Sequence, residues 1–123
     1  MVSTTGIATP SIEARNGPAI GLRDDVRRVP VFGMGCAGGV NGLATAARLA
    51  AAEPRSRWLF VTIETCSIAI RLDSDDPAAI VATAIVGDGA AAAVVGTGEQ
   101  GIATIVGAAE RMWPDTLNIM PAS

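Results

Sequence analysis

The sequence predicts an α/β protein, and three observations carry that prediction. The run Trp58-Leu59-Phe60-Val61-Thr62-Ile63-Glu64 is continuous, bulky and β-branched, the character of a parallel strand covered on both faces. Alanine-rich stretches with helical spacing precede it (residues 39–52) and follow it (residues 77–85). Glycine-dense turns at Gly33-Met34-Gly35-Cys36-Ala37-Gly38-Gly39 and Gly87-Asp88-Gly89 punctuate the alternation. The order reads β-α-β-α-β-β, an α/β layer architecture.

Residues 2–5 read as the tail of a strand, and so abrupt a start predicts further residues upstream. Gly6-Ile7-Ala8-Thr9-Pro10 is a turn. Ser11 is placed to cap a short helix over residues 12–15, stopped by Asn16-Gly17-Pro18. Asp24-Asp25-Val26-Arg27-Arg28 is a solvated charged turn. Residues 28–32 form the strand that enters the first glycine turn. In the helix that follows, Val40, Leu43, Ala47 and Ala50 recur at helical spacing, while Ala44, Ala46 and Ala51 fill the other sides. Such a helix is buried nearly all round. After the strand at 58–64, Ser74-Asp75-Asp76-Pro77 opens a helix with an N-cap and proline in its first turn. Residues 90–95 are a second apolar strand, and a hairpin-like loop at 97–101 leads into a third at 102–107. Pro114 and Pro121 argue against regular structure over residues 108–123.

The chain has 123 residues, enough for one domain and for burial of roughly two thirds of the unfolded surface. Half the residues are hydrophobic, 17% are charged and mean hydropathy is +0.42, which excludes disorder and predicts more apolar surface than so small a domain covers easily. Ala and Gly supply much of the apolar count, implying close approach of backbones. A net charge of −3, without a basic run or interleaved aromatics, argues against nucleic acid as a partner. No apolar run approaches the roughly 20 residues of a membrane span, and no secretory signal is visible. Together with two cysteines outside CxxC spacing, this predicts a cytoplasmic protein. There is no histidine, so zinc and the commonest general base are both missing from these residues.

The first glycine turn has three readings on its residues alone. Gly33-x-Gly35-x-x-Gly38 follows a strand, opens a helix and is answered by Glu64 at the next strand end, the pattern of a dinucleotide-binding module. Against it, Glu64 falls later than the usual distance of about 20 residues, and a cysteine is an odd choice in a turn pressed on pyrophosphate. In the second reading Cys36 is a nucleophile at a helix start, where backbone N–H groups and the helix dipole favour negative charge. In the third, Cys36 is a small buried hydrophobic residue.

The segment Gly33-Met34-Gly35-Cys36-Ala37-Gly38-Gly39 with Gly42-Leu43-Ala44, then Glu64, then Gly87-Asp88-Gly89-Ala90-Ala91-Ala92, resembles the type III polyketide synthases. These are the chalcone and stilbene synthase-like enzymes, and the bacterial members are most similar. Thr4-Thr5-Gly6-Ile7-Ala8-Thr9-Pro10 fits the family's Thr-(Ser/Thr)-Gly-x-x-x-Pro segment, and Trp113-Pro114-Asp115-Thr116-Leu117 with Ile119-Met120 resembles the stretch before its second half. The resemblance covers the whole chain. It implies one partial N-terminal domain over residues 1–123, an incomplete half of a thiolase-like layered fold.

It also implies a role for each matching residue. Cys36 corresponds to the cysteine that accepts an acyl group from acyl-CoA and carries it during decarboxylative condensation with malonyl-CoA. Thr4 and Glu64 match cavity-lining positions that in some members join a hydrogen-bond network. Cys66 and Ala69 match variable cavity-wall positions, and ordinary packing at a strand end is the alternative for both. Thr9 falls where the family reaches across its homodimer into the partner's cavity. Val86 stands where plant members usually carry a gatekeeper phenylalanine. No cofactor or metal is implied. The family's catalytic histidine and asparagine lie in its second half, so no polyketide synthesis is expected of these residues alone, with slow self-acylation of Cys36 as the residual activity. A truncated, non-functional product is the remaining alternative.

Overall fold

A computed structural model describes residues 1–70, 75–98 and 100–116. Its elements are α1 (Ile12–Asn16), α2 (Gly38–Ala52), β1 (Trp58–Glu64), α3 (Pro77–Ile85) and β2 (Gly89–Val95), with single 3₁₀ turns at Pro18–Ile20, Gly35–Ala37 and Cys66–Ala69. The predicted α/β character is therefore present, and both long predicted helices fall where expected.

The sheet is built outward from β1. On one edge β1 pairs antiparallel with β2, from Trp58↔Val95 to Glu64↔Gly89. On the other, Val2 forms a parallel bridge to Thr62, its N–H donating to the Val61 carbonyl (2.8 Å) and its carbonyl accepting from the Ile63 N–H (3.1 Å). β1 is thus parallel-paired on one edge only, and most of its residues are half-buried, so the expected all-parallel, doubly covered strand is corrected. Val2 also bridges Val31, which is all that forms of the strand predicted at 28–32. The bonds to residues 1–3 use the Val29 carbonyl and the Val31 N–H and carbonyl, so the missing N–H of Pro30 takes nothing from that pairing, and Gly33 ends the extended run in the left-handed region at φ 82°.

Three further predictions are corrected. Ser11 does not cap α1 with its side chain; its hydroxyl donates to Glu13 Oε1 (2.7 Å). By contrast α3 opens as expected, with Asp76 as the N-cap, its carboxylate accepting from the Ala78 N–H (3.1 Å), and Pro77 in the first turn; Ser74 lies outside the described residues. Residues 102–107 form no strand, and Ile102 and Val106 are fully exposed. The tight turn expected at Gly87-Asp88-Gly89 is instead an open run into β2.

α2 packs over β1 at unusually short range. A Cβ on Gly42 would lie 2.7 Å from Phe60 Cε2 and closer still to Val2 Cγ2, and one on Gly38 would lie 2.7 Å from Val2 Cγ1. Only glycine lets the helix sit this deep. Gly38, Gly42, Ala44, Ala46 and Ala50 are buried, but Val40 is exposed, so the helix is covered on most sides and not all. At its far end Glu53 pairs with the Arg27 guanidinium, which also stacks 5.5 Å over the Trp58 ring. Two residues of the charged turn therefore have partners, Arg27 in this pair and Asp25 in an exposed ion pair with Arg23 (3.2 Å). No helix among the described residues is long and apolar enough to cross a membrane.

Candidate active site

Two left-handed glycines, Gly33 (φ 82°) and Gly35 (φ 51°), flank Met34, reverse the chain after the Val31 bridge and deliver it into the 3₁₀ turn Gly35–Ala37. Neither has a neighbour within 4 Å of where a Cβ would stand, so backbone conformation, not space, demands glycine at both. Cys36 is the middle residue of that turn. The Ala37 N–H donates to the Met34 carbonyl (3.2 Å), and α2 follows immediately. No side chain caps α2 and no acidic residue of the helix itself stands in its first turn; the neighbouring carboxylate is that of Glu110, which accepts from Asn41 Nδ2 (2.7 Å) and lies 3.6 Å from Arg48 Nη1. Cys36 is exposed and unpaired with Cys66. That exposure counts against the reading of Cys36 as a buried hydrophobic residue.

A second polar centre forms at the C-terminal end of β1. Glu64 Oε1 accepts from the Thr4 N–H (2.7 Å), and Oε2 accepts from both the Thr5 N–H (2.9 Å) and the Thr5 hydroxyl (2.7 Å). Thr5 Oγ1 in turn accepts from the Thr65 N–H (2.8 Å) and lies 3.3 Å from the Thr65 hydroxyl. Desolvation pushes the Glu64 carboxyl up, but the donors from Thr5 and Thr4 together outweigh it and hold the group below its ordinary value. Three donors of its own chain already occupy both Glu64 oxygens, which counts against a ribose-binding role and so against the dinucleotide reading.

Beyond Glu64 the chain makes the 3₁₀ turn Cys66–Ala69, with Cys66 half-buried and Ala69 exposed. Val86 ends α3 and is exposed, two residues before Asp88. Asp88 reaches back to the turn: Oδ1 accepts from the Ser67 N–H and Oδ2 from the Ser67 hydroxyl, both at 2.7 Å. Those two bonds, backbone first, hold the Asp88 carboxyl below its ordinary value. Thr9 is exposed on a separate loop, its carbonyl accepting from Arg15 Nη2 (2.9 Å). The structure thus joins Thr4 to Glu64 directly, and ties the Cys66–Ala69 turn to the run that follows Val86. No hydrogen bond among the described residues joins Cys36 or Thr9 to either group. Thr5 and Ser67 carry no site signal in the sequence, where short polar residues flanking strand ends are common to ordinary turns, and Asp88 stands in the Gly87-Asp88-Gly89 motif, which predicts a turn and not the bonds to Ser67.

Residues 1–99 match the family model of chalcone and stilbene synthases, N-terminal domain. The chain is 42% identical over 99 residues to 1,3,6,8-tetrahydroxynaphthalene synthase of Streptomyces peucetius subsp. caesius, covering 80% of this chain and 26% of that protein. It is 40% identical over 120 residues to type III polyketide synthase 10 of Oryza sativa subsp. japonica, covering 94% and 30%. Among solved structures, the C-terminal type III polyketide synthase domain of the Dictyostelium hybrid Steely1 superposes with a TM-score of 0.86 at 36% identity over 95% of this chain and 33% of that one. Tetrahydroxynaphthalene synthase of Streptomyces coelicolor gives 0.85 at 30% identity over 94% and 33%. The fold is accordingly part of the thiolase-like architecture of those enzymes. On the family match over residues 1–99, and with the relatives covered only in part, this chain belongs to the chalcone and stilbene synthases, as a portion of their N-terminal domain.

Proposed function

We propose that Cys36 is the acyl-accepting nucleophile of a type III polyketide synthase, and that residues 1–123 carry this nucleophile and one wall of its cavity. The observation that supports this most is the placement of Cys36: exposed, on a 3₁₀ turn opening an uncapped helix that glycine contacts seat firmly on the sheet. In the loading step the Cys36 thiolate attacks the carbonyl carbon of acyl-CoA. The carbon–sulfur bond to CoA breaks, CoA leaves as a thiolate that takes a proton from water, and the acyl group remains on Sγ as a thioester. The N-terminal end of α2 favours the negative charge that develops on the carbonyl oxygen during attack.

In the extension step malonyl-CoA loses CO₂, and its enolate carbon attacks the Cys36 thioester. That forms the new carbon–carbon bond and returns Sγ as a thiolate. Decarboxylation needs enolate stabilisation and proton management, and the chain has no histidine to provide them. Residues 1–123 are therefore proposed to load an acyl group without extending it, with extension and homodimeric assembly belonging to the complete family architecture. Thr4, Glu64, Cys66, Ala69 and Val86 shape the space for the acyl chain, and Thr9 reaches toward a second subunit.

Incubation with acyl-CoA and malonyl-CoA tests this reading. The expected outcome is release of CoA in a single stoichiometric burst, without a pyrone or resorcinol product, and loss of the burst in Cys36→Ala. A burst that persists in Cys36→Ala, or sustained product formation, contradicts it.

A further inference from the structure

The β1–β2 ladder ends at Glu64↔Gly89, yet the two chains do not separate there. Asp88 spans the gap, receiving the Ser67 N–H on one oxygen and the Ser67 hydroxyl on the other, each at 2.7 Å. Both bonds go to a charged acceptor, the stronger class of hydrogen bond, and a bidentate arrangement fixes orientation as well as distance. Counted in antiparallel register from the last pair, Ser67 and Val86 stand three steps beyond it. The clamp therefore sits between the turn that carries Cys66 and Ala69 and the residue that ends α3.

We infer that Ser67 and Asp88 are positioning residues that set the separation between the Cys66–Ala69 turn and Val86, and through it the acyl-chain length the cavity accepts. The inference rests on the proposed role of Cys66, Ala69 and Val86 as cavity wall. Three features support it. Neither strand offers a backbone bond at this point, so the side-chain clamp is what continues the pairing. A 3₁₀ turn of four residues has little cooperativity of its own to hold a fixed orientation. Finally, Ser67, Ala69 and Val86 are all exposed, so packing does not supply the restraint that the clamp does. Neither Ser67 nor Asp88 touches the acyl group in this account; they act through the wall.

Two measurements on the full chain test it. In the first, Cys36→Ser and Val86→Cys are combined, nitroxides are attached at positions 66 and 86, and their separation is read by pulsed electron resonance. A single narrow distribution is expected. Asp88→Ala should broaden it, and Ser67→Ala, which removes only the hydroxyl bond, should broaden it less. Asp88→Asn should preserve it, since its amide can still accept from the Ser67 N–H and donate to the hydroxyl. A distribution equally narrow in Asp88→Ala overturns the clamp.

In the second, Cys36 of the otherwise unaltered chain is acylated by acetyl-CoA and by dodecanoyl-CoA in competition. Asp88→Ala should change the ratio of the two rates by about fivefold, the equivalent of one hydrogen bond, and Asp88→Asn should restore it. An unchanged ratio despite broadened distances overturns the specificity role. Absence of acylation by either ester refutes the proposed function instead, and the distance distributions then decide the clamp alone.

Discussion

Glu64 is where single residues have the clearest energetic consequence. Its carboxylate is held by the Thr4 and Thr5 N–H groups and the Thr5 hydroxyl, and its folded-state pKa is depressed because those bonds exceed the opposing desolvation. An acid with a depressed folded pKa stabilises the fold above its unfolded pKa and loses that contribution as pH falls through the folded value. Stability should therefore decline as pH drops from the ordinary glutamate value of 4.5 downward. Urea midpoints measured between about pH 6 and about pH 3 should show a shallower decline in Glu64→Gln than in the parent. Some slope should remain, because Glu53 and Asp88 are depressed as well. At pH 7 Glu64→Ala should cost about 1–2 kcal/mol, the partly exposed end of the range for charged hydrogen bonds. An identical pH slope in Glu64→Gln would show that the network contributes nothing. Thr4 and Glu64 were legible as partners through their matching family positions. Thr5 was not, although it donates twice, because a threonine beside a strand end has no distinguishing pattern.

At the scale of elements, the seating of α2 decides where Cys36 stands. Gly42→Ala would drive a methyl into Phe60 and Val2 and should destabilise the chain by about 1–3 kcal/mol in urea denaturation. Gly39→Ala, one turn nearer Cys36 with nothing within 4 Å of the new methyl, should stabilise by up to about 1 kcal/mol through helix propensity. Equal effects at the two sites would contradict the close approach. This close approach was anticipated from the abundance of Ala and Gly. The existence of α2, β1, α3 and β2 was legible too, because each is a periodic or continuous apolar run with punctuated ends. Strand pairing was not: whether β1 takes an antiparallel neighbour depends on β2, and the two strands are connected through a 3₁₀ turn and a helix whose direction no local pattern specifies. The strand expected at 28–32 is reduced to the bridge at Val31, because Gly33 turns the chain into the left-handed region immediately beyond Phe32. The strand expected at 102–107 failed because apolar composition cannot form a ladder without an adjacent partner.

For the molecule as a whole, the notable quantity is exposed area. The chain exposes 9728 Å², whereas a compact monomer of 12.4 kDa is expected to expose about 6,100 Å². Among the described residues the buried hydrophobic ones are Val2, Ala44, Ala46 and Ala50, all small, while Ile80, Val81, Ile85, Val94 and Trp113 are exposed. That surface should bind a hydrophobic dye at neutral pH and promote concentration-dependent association. Sedimentation as a monomer at all concentrations, with no dye fluorescence, would contradict it. The same incompleteness sharpens what can be asked of Cys36, which has a defined place on the fold but no histidine in its chain. The most direct measurement is therefore of loading alone: intact-mass and peptide mass spectrometry after incubation with acyl-CoA. The account predicts one acyl adduct, mapped to Cys36, labile to hydroxylamine, absent in Cys36→Ala and retained in Cys66→Ala. An adduct on Cys66 with Cys36 unmodified would contradict it.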